Sequence, residues 1–283
     1  MEEDNRYCPS GKFIRFQDHY SINYHMTDGR FVVCTLRGQN LMVGTTTLND
    51  KQGEINLVDD DWFGVPTGFD GPILSSNVDR GILIATLLKE NQSKILVVDL
   101  DTRHYNEYRG FTTQSYPVGI EGNTVYIQYY RGYSPVIEGL DLSTMMTTFQ
   151  YDAPSEHACE NLTRIYNGRL VAASTVRSTI GNQLVSAIRG VPSGEILVVL
   201  SGLSNRLVIK ENGVFFTLDD RRHYYAAFDG RSVILHLEPN DSFSNLVPVH
   251  LSYIYAASDA GDSIWVKYTA PGDLVHFINY IPC

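Results

Sequence analysis

The sequence predicts an all-β chain, and within that class a six-bladed β-propeller whose N-terminal strand completes the last blade. Three observations predict it. Short apolar strands fill the 283 residues with no helical stripe between them. A glycine turn ahead of an apolar strand returns at a near-constant interval. The chain also begins with one strand to spare and ends one strand short of a full unit.

The strands come first. Candidates lie at 12–16, 20–25, 31–36, 41–48, 82–88, 95–100, 125–129, 136–142, 170–175, 184–188, 196–200, 207–210, 214–218, 233–237, 249–255, 264–268 and 275–281. They are rich in Val, Ile, Thr and Tyr and are bounded by Gly, Asp, Asn, Pro and Ser, the residues that turn a chain. No segment repeats apolar residues every 3.6 positions over a helical length. With 43% hydrophobic residues, 18 Tyr and 12 Phe, the chain has ample material for half-buried pleated surfaces and a large core.

The interval is clearest around residues 122–144. A turn at Glu121-Gly122 launches a β-branched strand, a Gly/Ser/Pro loop reverses it, and a second strand ends in Asp141-Leu142-Ser143-Thr144. Glycines in the same context stand at Gly29, Gly81, Gly122, Gly168, Gly213 and Gly261, spaced 41 to 52 residues apart. Six units of that size use the whole chain, and such a period with all-strand content points to one four-stranded sheet per repeat. A second landmark keeps register with the first. Leu48, Leu100 and Leu142 each close a strand 19 or 20 residues after their glycine, beside Asp, Asn, Ser or Thr side chains able to accept from turn amides. Ile188-Arg189-Gly190 holds the equivalent place in the fourth unit.

The sixth unit holds only three strands. The strand at 12–16 is therefore expected to pair as its outer edge and clasp the ring shut. Asp229-Gly230 repeats the turn pattern only 17 residues after Gly213, which leaves a seven-bladed or irregular ring open. A pair of β-sandwiches or a β-solenoid is the competing architecture.

The Ile/Val-rich strand ending in Asp-Leu-(Asp/Ser)-Thr at 99–102 and 141–144 resembles the third-strand ending of kelch-like and quinoprotein-like propellers. The resemblance implies architecture and no activity, because propellers carry enzymes, lectins and scaffolds alike. No Gly-His…Trp-Asp pair recurs, only two Trp are present, and the kelch Gly-Gly doublet is missing. Residues 258–265 resemble the sialidase Asp-box, but the spacing fails and a plain turn entering a strand fits better.

Charge and motifs narrow the chemistry. A net charge of −10 argues against nucleic acid as a partner, since phosphate backbones call for clustered Lys and Arg. The start, MEEDNRYCPSGK, has neither the basic nor the apolar region of a secretory signal, and no apolar run approaches a membrane span. A cytoplasmic or nuclear location is therefore expected, without membrane association. A closed ring would bring Cys8 and Cys283 together, yet reduced thiols are the expectation in such a compartment. The sequons at Asn91, Asn161 and Asn240 carry little weight without a signal peptide.

Asp59-Asp60-Asp61 lacks the calcium-loop pattern and reads as an exposed turn with Trp62-Phe63 packed beneath it. The eight His show no metal spacing, and His236 and His250, in apolar strands, read as core histidines. No nucleophile elbow, Walker loop or dinucleotide fingerprint occurs. No cofactor or metal is expected.

The aromatic and basic stretches YIQYYRGY (126–133) and RRHYY (221–225) remain. Tyr and Arg dominate binding hot spots because they bury large area and keep polar tips. Tyr130, Arg131, Tyr133, Arg221, Arg222 and Tyr224 are the binding candidates, while Tyr126 is expected to pack between blades. The favoured function is a non-catalytic scaffold or complex subunit with protein partners. The alternative is a propeller enzyme or carbohydrate-binding protein of glycosidase or lactonase type, with its site at the central mouth.

Overall fold

The computed structural model describes residues 5–17, 22–27, 29–48, 53–55, 61–68, 71–90, 92–111, 114–154, 159–165, 168–177, 183–239, 251–258, 260–270 and 274–283. Strand β1 (Arg6–Gln17) leads. Next come β2 (Ile22–Thr27), β3 (Arg30–Arg37), β4 (Asn40–Thr47), the short β5 (Gly53–Ile55) and β6 (Trp62–Pro66). The second group is β7 (Ile73–Asp79), β8 (Ile82–Lys89), β9 (Gln92–Asp99) and β10 (Tyr105–Phe111). The third is β11 (Ser115–Glu121), β12 (Thr124–Arg131), β13 (Ser134–Asp141) and β14 (Thr147–Asp152). Then follow β15 (Cys159–Ile165), β16 (Arg169–Arg177), β17 (Leu184–Gly190) and β18 (Ile196–Val199). Strands β19 (Ser204–Lys210), β20 (Gly213–Leu218), β21 (His223–Ala227) and β22 (Ser232–Leu237) precede β23 (Leu251–Ala257), β24 (Ile264–Ala270) and β25 (Leu274–Pro282).

Four of the sheets have four strands each: β2-β3-β4-β6, β7-β8-β9-β10, β11-β12-β13-β14 and β15-β16-β17-β18. A larger sheet runs β19-β20-β21-β22-β1-β25-β24-β23, with β5 against β1. The first strands contact one another in a closed cycle, β2 to β7, β11, β15, β19 and β23 and back to β2. Sheets thus radiate from a central axis. Gly119 of β11 marks how near two inner strands approach, because a methyl group there would collide with the Leu162 carbonyl oxygen of β15.

The two sequence landmarks turn out to be one device. Gly29, Gly81, Gly122, Gly168 and Gly261 occupy the turns before the second strands at φ between +55° and +85°, a region that costs glycine little. Leu48 donates its amide to the Gly29 carbonyl at 2.7 Å, Leu100 to Gly81 at 2.8 Å, and Leu142 to Asn123 at 2.8 Å. The end of the third strand is thereby tied to the turn that starts the second. Asp99 accepts from the amides of Asp101 and Thr102, and Asp141 from those of Ser143 and Thr144, at 2.8 to 3.0 Å. These bonds hold both carboxyls below the usual carboxylate range. The Asp229-Gly230 turn joins β21 to β22, which explains the short spacing: it is a third-to-fourth-strand turn.

Closure involves more than the expected strand. β1 runs antiparallel to β25 from Tyr7↔Pro282 to Gln17↔Leu274, parallel to β22 at Arg6 and Tyr7, and parallel to β5 at residues 12–14. Cys8 and Cys283 are bonded to each other, Cα to Cα 5.1 Å. Reduced thiols were the expectation, and the correction is geometric: pairing Cys8 with Ile281 lays the two termini side by side. The seam between β23–β25 and β2–β3 is aromatic, with Phe277 in edge or tilted contact with Tyr24, Phe31 and Tyr255. Lys267, buried there, donates to the Tyr24 hydroxyl and lies 4.7 Å from that ring's centroid. Such a contact offsets part of the cost of burying an ammonium.

Buried polar side chains staple neighbouring sheets. The Cys159 amide donates to Gln128 Oε1 at 2.9 Å, Ser204 to Ser186 Oγ at 3.0 Å, and Ile254 to Thr217 Oγ1 at 2.9 Å. Thr217 Oγ1 also lies 2.8 Å from His223 Nδ1. In each case a bulky apolar sheet face gives up one position so that the next inner strand has a partner for its amide.

Several strands escaped the sequence reading: β6, β7, β10, β11, β14, β15 and β21. Apart from the third strand β21, they are inner or outer strands rich in Ser, Asn, Pro, Gly and charge, such as ILSSNVD and TTFQYD, because one face meets the central cavity or solvent. Trp62 and Phe63 belong to β6 and are not packed beneath a turn; Asp59 and Asp60 lie outside the described residues. His236 is exposed on β22, since the alternation in SVILHL turns Leu235 inward instead, and His250 lies outside the described residues. Tyr126 is buried, edge-on to Phe149, as expected. Among the described residues no helix is long and apolar enough to cross a membrane.

Removing residues 1–18 is expected to unfold or aggregate the protein, since it strips β25 of its partner and β22 of its parallel contact. Cys8→Ser alone should cost about 2–4 kcal/mol, lowering the melting temperature by several degrees. Calorimetry of both variants checks this, and unchanged melting of the truncated form would refute the closure. A second expectation concerns pH. Burial depresses the His223 pKa to about 4, so the folded state keeps it neutral while the unfolded chain protonates near its ordinary value. Stability is full above that ordinary value and falls as pH drops towards 4, by up to about 3 kcal/mol from this group. His223→Gln should flatten that part of the slope in denaturant titrations between neutral pH and pH 4.

Candidate functional site

Strands β12 and β13 meet at a two-residue hairpin, Gly132-Tyr133, with Gly132 at φ +66°. Glycine in the first central position is what a tight primed turn requires. Register pairs Tyr130 with Pro135 and Arg131 with Ser134, so the tip is held on both sides. Tyr133 is 96% exposed and Tyr130 39%. Arg131 forms an open pair with Asp152 at 3.3 Å, both side chains well exposed, and also reaches the Tyr129 side chain. Three of the predicted binding residues therefore share one projecting tip.

The other three lie on the turn from β20 to β21. Arg221 is exposed with φ +65°, and its amide closes the turn onto the Leu218 carbonyl at 2.9 Å. Arg222 folds back onto Asp220, through Nε at 2.7 Å and Nη2 at 2.6 Å, and the Tyr224 hydroxyl donates to the same carboxylate at 3.1 Å. The Tyr224 ring stacks on Phe216 at 5.3 Å. These hydrogen bonds, led by the Arg222 amide, lower the Asp220 pKa, and the Asp220 carboxylate in turn raises that of Arg222. Arg222 and Tyr224 are thus largely committed to their own turn, whereas Arg221 is presented to solvent.

Both turns follow the second strand of their sheets, so alternating strand direction brings them to the same end of the ring. The opposite end opens into a central cavity of about 1080 Å³. Strands β2, β7, β11, β15 and β19 line it, with His25, Ser76, Asn77, Asn161, Thr163 and Arg206 on its polar wall. None of the six predicted residues is among its lining. At the rim Arg30 pairs with Asp101 at 2.6 Å, Arg80 with Asp79 at 3.9 Å and Arg164 with Glu121 at 3.0 Å. His25 Nε2 lies 2.6 Å from Ser76 Oγ, and the Cys34 thiol lies 3.8 Å behind that hydroxyl. Burial pushes the thiol up to about 12, so this Cys–Ser–His row holds no thiolate nucleophile at neutral pH. Burial, aided by the Arg206 charge, lowers His25 to about 3 and keeps it neutral.

The sequence reading offered a site at the central mouth only as its alternative and could not name these wall residues, because they come from five inner strands far apart in the chain. Asn161, a sequon residue, faces this interior and donates to the Leu207 carbonyl at 3.4 Å, so it is no surface acceptor.

No protein-family model matches the sequence, and no curated protein does so either. Solved structures do match. A chain in the crystal structure of the mitotic checkpoint complex superposes with a TM-score of 0.54 at 11% identity, covering 97% of this chain and 93% of that one. The AfRom2 CNH domain superposes at 0.50 and 12% identity, covering 94% and 82% respectively. At such identities the likeness speaks to fold alone. Together with the repeated four-stranded sheets around a cycle of inner strands, it shows that the chain has a β-propeller fold.

Proposed function

We propose that the protein is a single-domain, six-bladed β-propeller acting as a non-catalytic interaction scaffold or as a subunit of a larger complex. Six blades follow when the long sheet is divided into β19–β22 and β23–β25 with β1. Among the described residues, the strand pairing that joins those halves is the short parallel one of Arg6 and Tyr7 with His236 and Leu237. The cycle of inner-strand contacts supports that division.

The observation that carries the scaffold reading is the hairpin tip. A phenol ring 96% exposed on a tight, doubly registered turn contributes nothing to the core, and Tyr130 and Arg131 flank it. The register fixes the backbone that presents them, and aromatic and arginine side chains form the usual centre of a protein interface. One structural neighbour belongs to an assembled complex, which is consistent with a subunit role. The terminal cysteines bear on the compartment. A persistent Cys8–Cys283 bond belongs to oxidising surroundings, and a reduced pair to the cytoplasm or nucleus; the non-reducing mass of the native protein distinguishes them.

Capture of partners from the native lysate, compared between wild type and the Arg131→Ala/Tyr133→Ala double variant, tests the proposal. A stoichiometric protein partner, resistant to nuclease and moderate salt, is expected with wild type. The variant should lose it by about 30-fold, the effect of removing hot-spot contacts worth about 2 kcal/mol, with an unchanged melting temperature. Arg222→Ala should cost less than Arg221→Ala, because Arg222 is spent on Asp220. Undiminished capture by the double variant, or substrate turnover by the purified protein, would overturn the reading.

A further inference from the structure

Arg206 differs from every other arginine of the central cavity. Arg30, Arg80 and Arg164 each face a carboxylate at the rim, whereas among the described residues Arg206 pairs with no carboxylate. Its guanidinium is nonetheless fixed. Nε donates to the Tyr255 carbonyl at 2.9 Å, and Cζ lies 3.9 Å above the Tyr255 ring. That ring is in turn locked by its hydroxyl on the Tyr24 carbonyl at 2.6 Å and by edge contact with Phe277 at 4.9 Å. The bond to Nε leaves the two terminal nitrogens, a planar fork of donors, for a ligand.

The surroundings suit an anion. His25, Ser76, Asn77, Asn161 and Thr163, which line the same cavity, are neutral hydrogen-bonding groups and do not compete for the charge. His25 feels the Arg206 charge as a force against its own protonation, which a neutralised guanidinium would exert far less. At the mouth two further buried polar atoms, Arg30 Nη1 and Glu121 Oε2, have no hydrogen-bond partner. Buried polar atoms without a protein partner are uncommon in folded proteins, and water, an ion or a bound molecule is their usual partner.

We propose that the central cavity is a binding site for a small solute bearing an oxyanion, a carboxylate or phosphate group gripped by the fork of Arg206, with the wall of His25, Ser76 and Asn161 around it. The remaining volume takes the polar body of the solute, and the rim atoms of Arg30 and Glu121 meet its outer hydroxyl or amine groups. The site lies at the opposite end of the ring from the Tyr133 hairpin and operates independently of it.

The test titrates the full chain with inorganic phosphate and, separately, with citrate, against sodium chloride at matched ionic strength. Calorimetry reads affinity, and the imidazole nitrogen signals of His25 read location. Saturable binding by one of the two anions is expected, with the His25 signals moving and those of the exposed His104 unmoved. The stronger anion identifies the chemistry as phosphate or carboxylate. Arg206→Gln should weaken binding by about tenfold or more, as loss of a charge-assisted fork does, while Tyr133→Ala leaves it unchanged. Should Arg206→Gln fail to fold, the His25 response of the wild type decides alone. Responses to both anions no larger than to chloride, affinity unchanged in a folded Arg206→Gln, or unmoved His25 signals would overturn the site.

Discussion

The open edge of β25 is the constraint on which the rest of the molecule depends. Its residues Val275, Phe277, Ile278 and Tyr280 are buried, yet as the last strand of the chain it has a sequence neighbour, β24, on one side only. A row of unpaired amides beside so apolar a strand invites pairing with another molecule. β1 occupies that edge over most of its length and reaches on to β22 and β5, so one strand joins the last strand to β22 before it and to the short β5 near the start. The aromatic seam of Tyr24, Phe31, Tyr255 and Phe277 forms only because the ring closes there.

Closure also explains why charged groups are affordable inside. Lys267 sits beside Tyr24 and Tyr253, and Arg206 is stacked on Tyr255, both at the same junction. Flat aromatic faces and backbone carbonyls solvate these cations in place of water. Arg206 then turns its remaining donors to the axis. The seam that holds the ring together is thus the seam that orients the most unusual cation of its interior.

The two ends of the ring present different chemistry. One carries projecting second-to-third-strand turns, with an exposed tyrosine tip on one sheet and a self-satisfied Asp220–Arg222–Tyr224 cluster on another. The other carries the glycine turns, whose tight geometry keeps side chains from blocking the axis and leaves the cavity mouth ringed by ion pairs. A surface for large partners and a recess for small ones therefore coexist because strand direction alternates within each sheet.

The sequence by itself determined the repeat. Glycine at positive φ before five of the six second strands and the Asp-Leu-x-Thr ending are local demands, met by a few adjacent residues, and they survive in the text of the chain. It also determined that a spare first strand must serve the last unit, and it picked out Tyr130, Arg131 and Tyr133 on one hairpin because they are neighbours in sequence. Inner strands such as β7, β11 and β15 were illegible, since a strand with one polar face and a Pro or Gly at a bulge resembles a loop. Only the tertiary structure decided that Cys8 reaches Cys283, that Arg222 is spent on Asp220 while Arg221 is not, and that the Arg206 charge acts on His25. Each of those depends on groups brought together by the curvature and closure of many sheets, a sum over the whole chain that no short segment encodes.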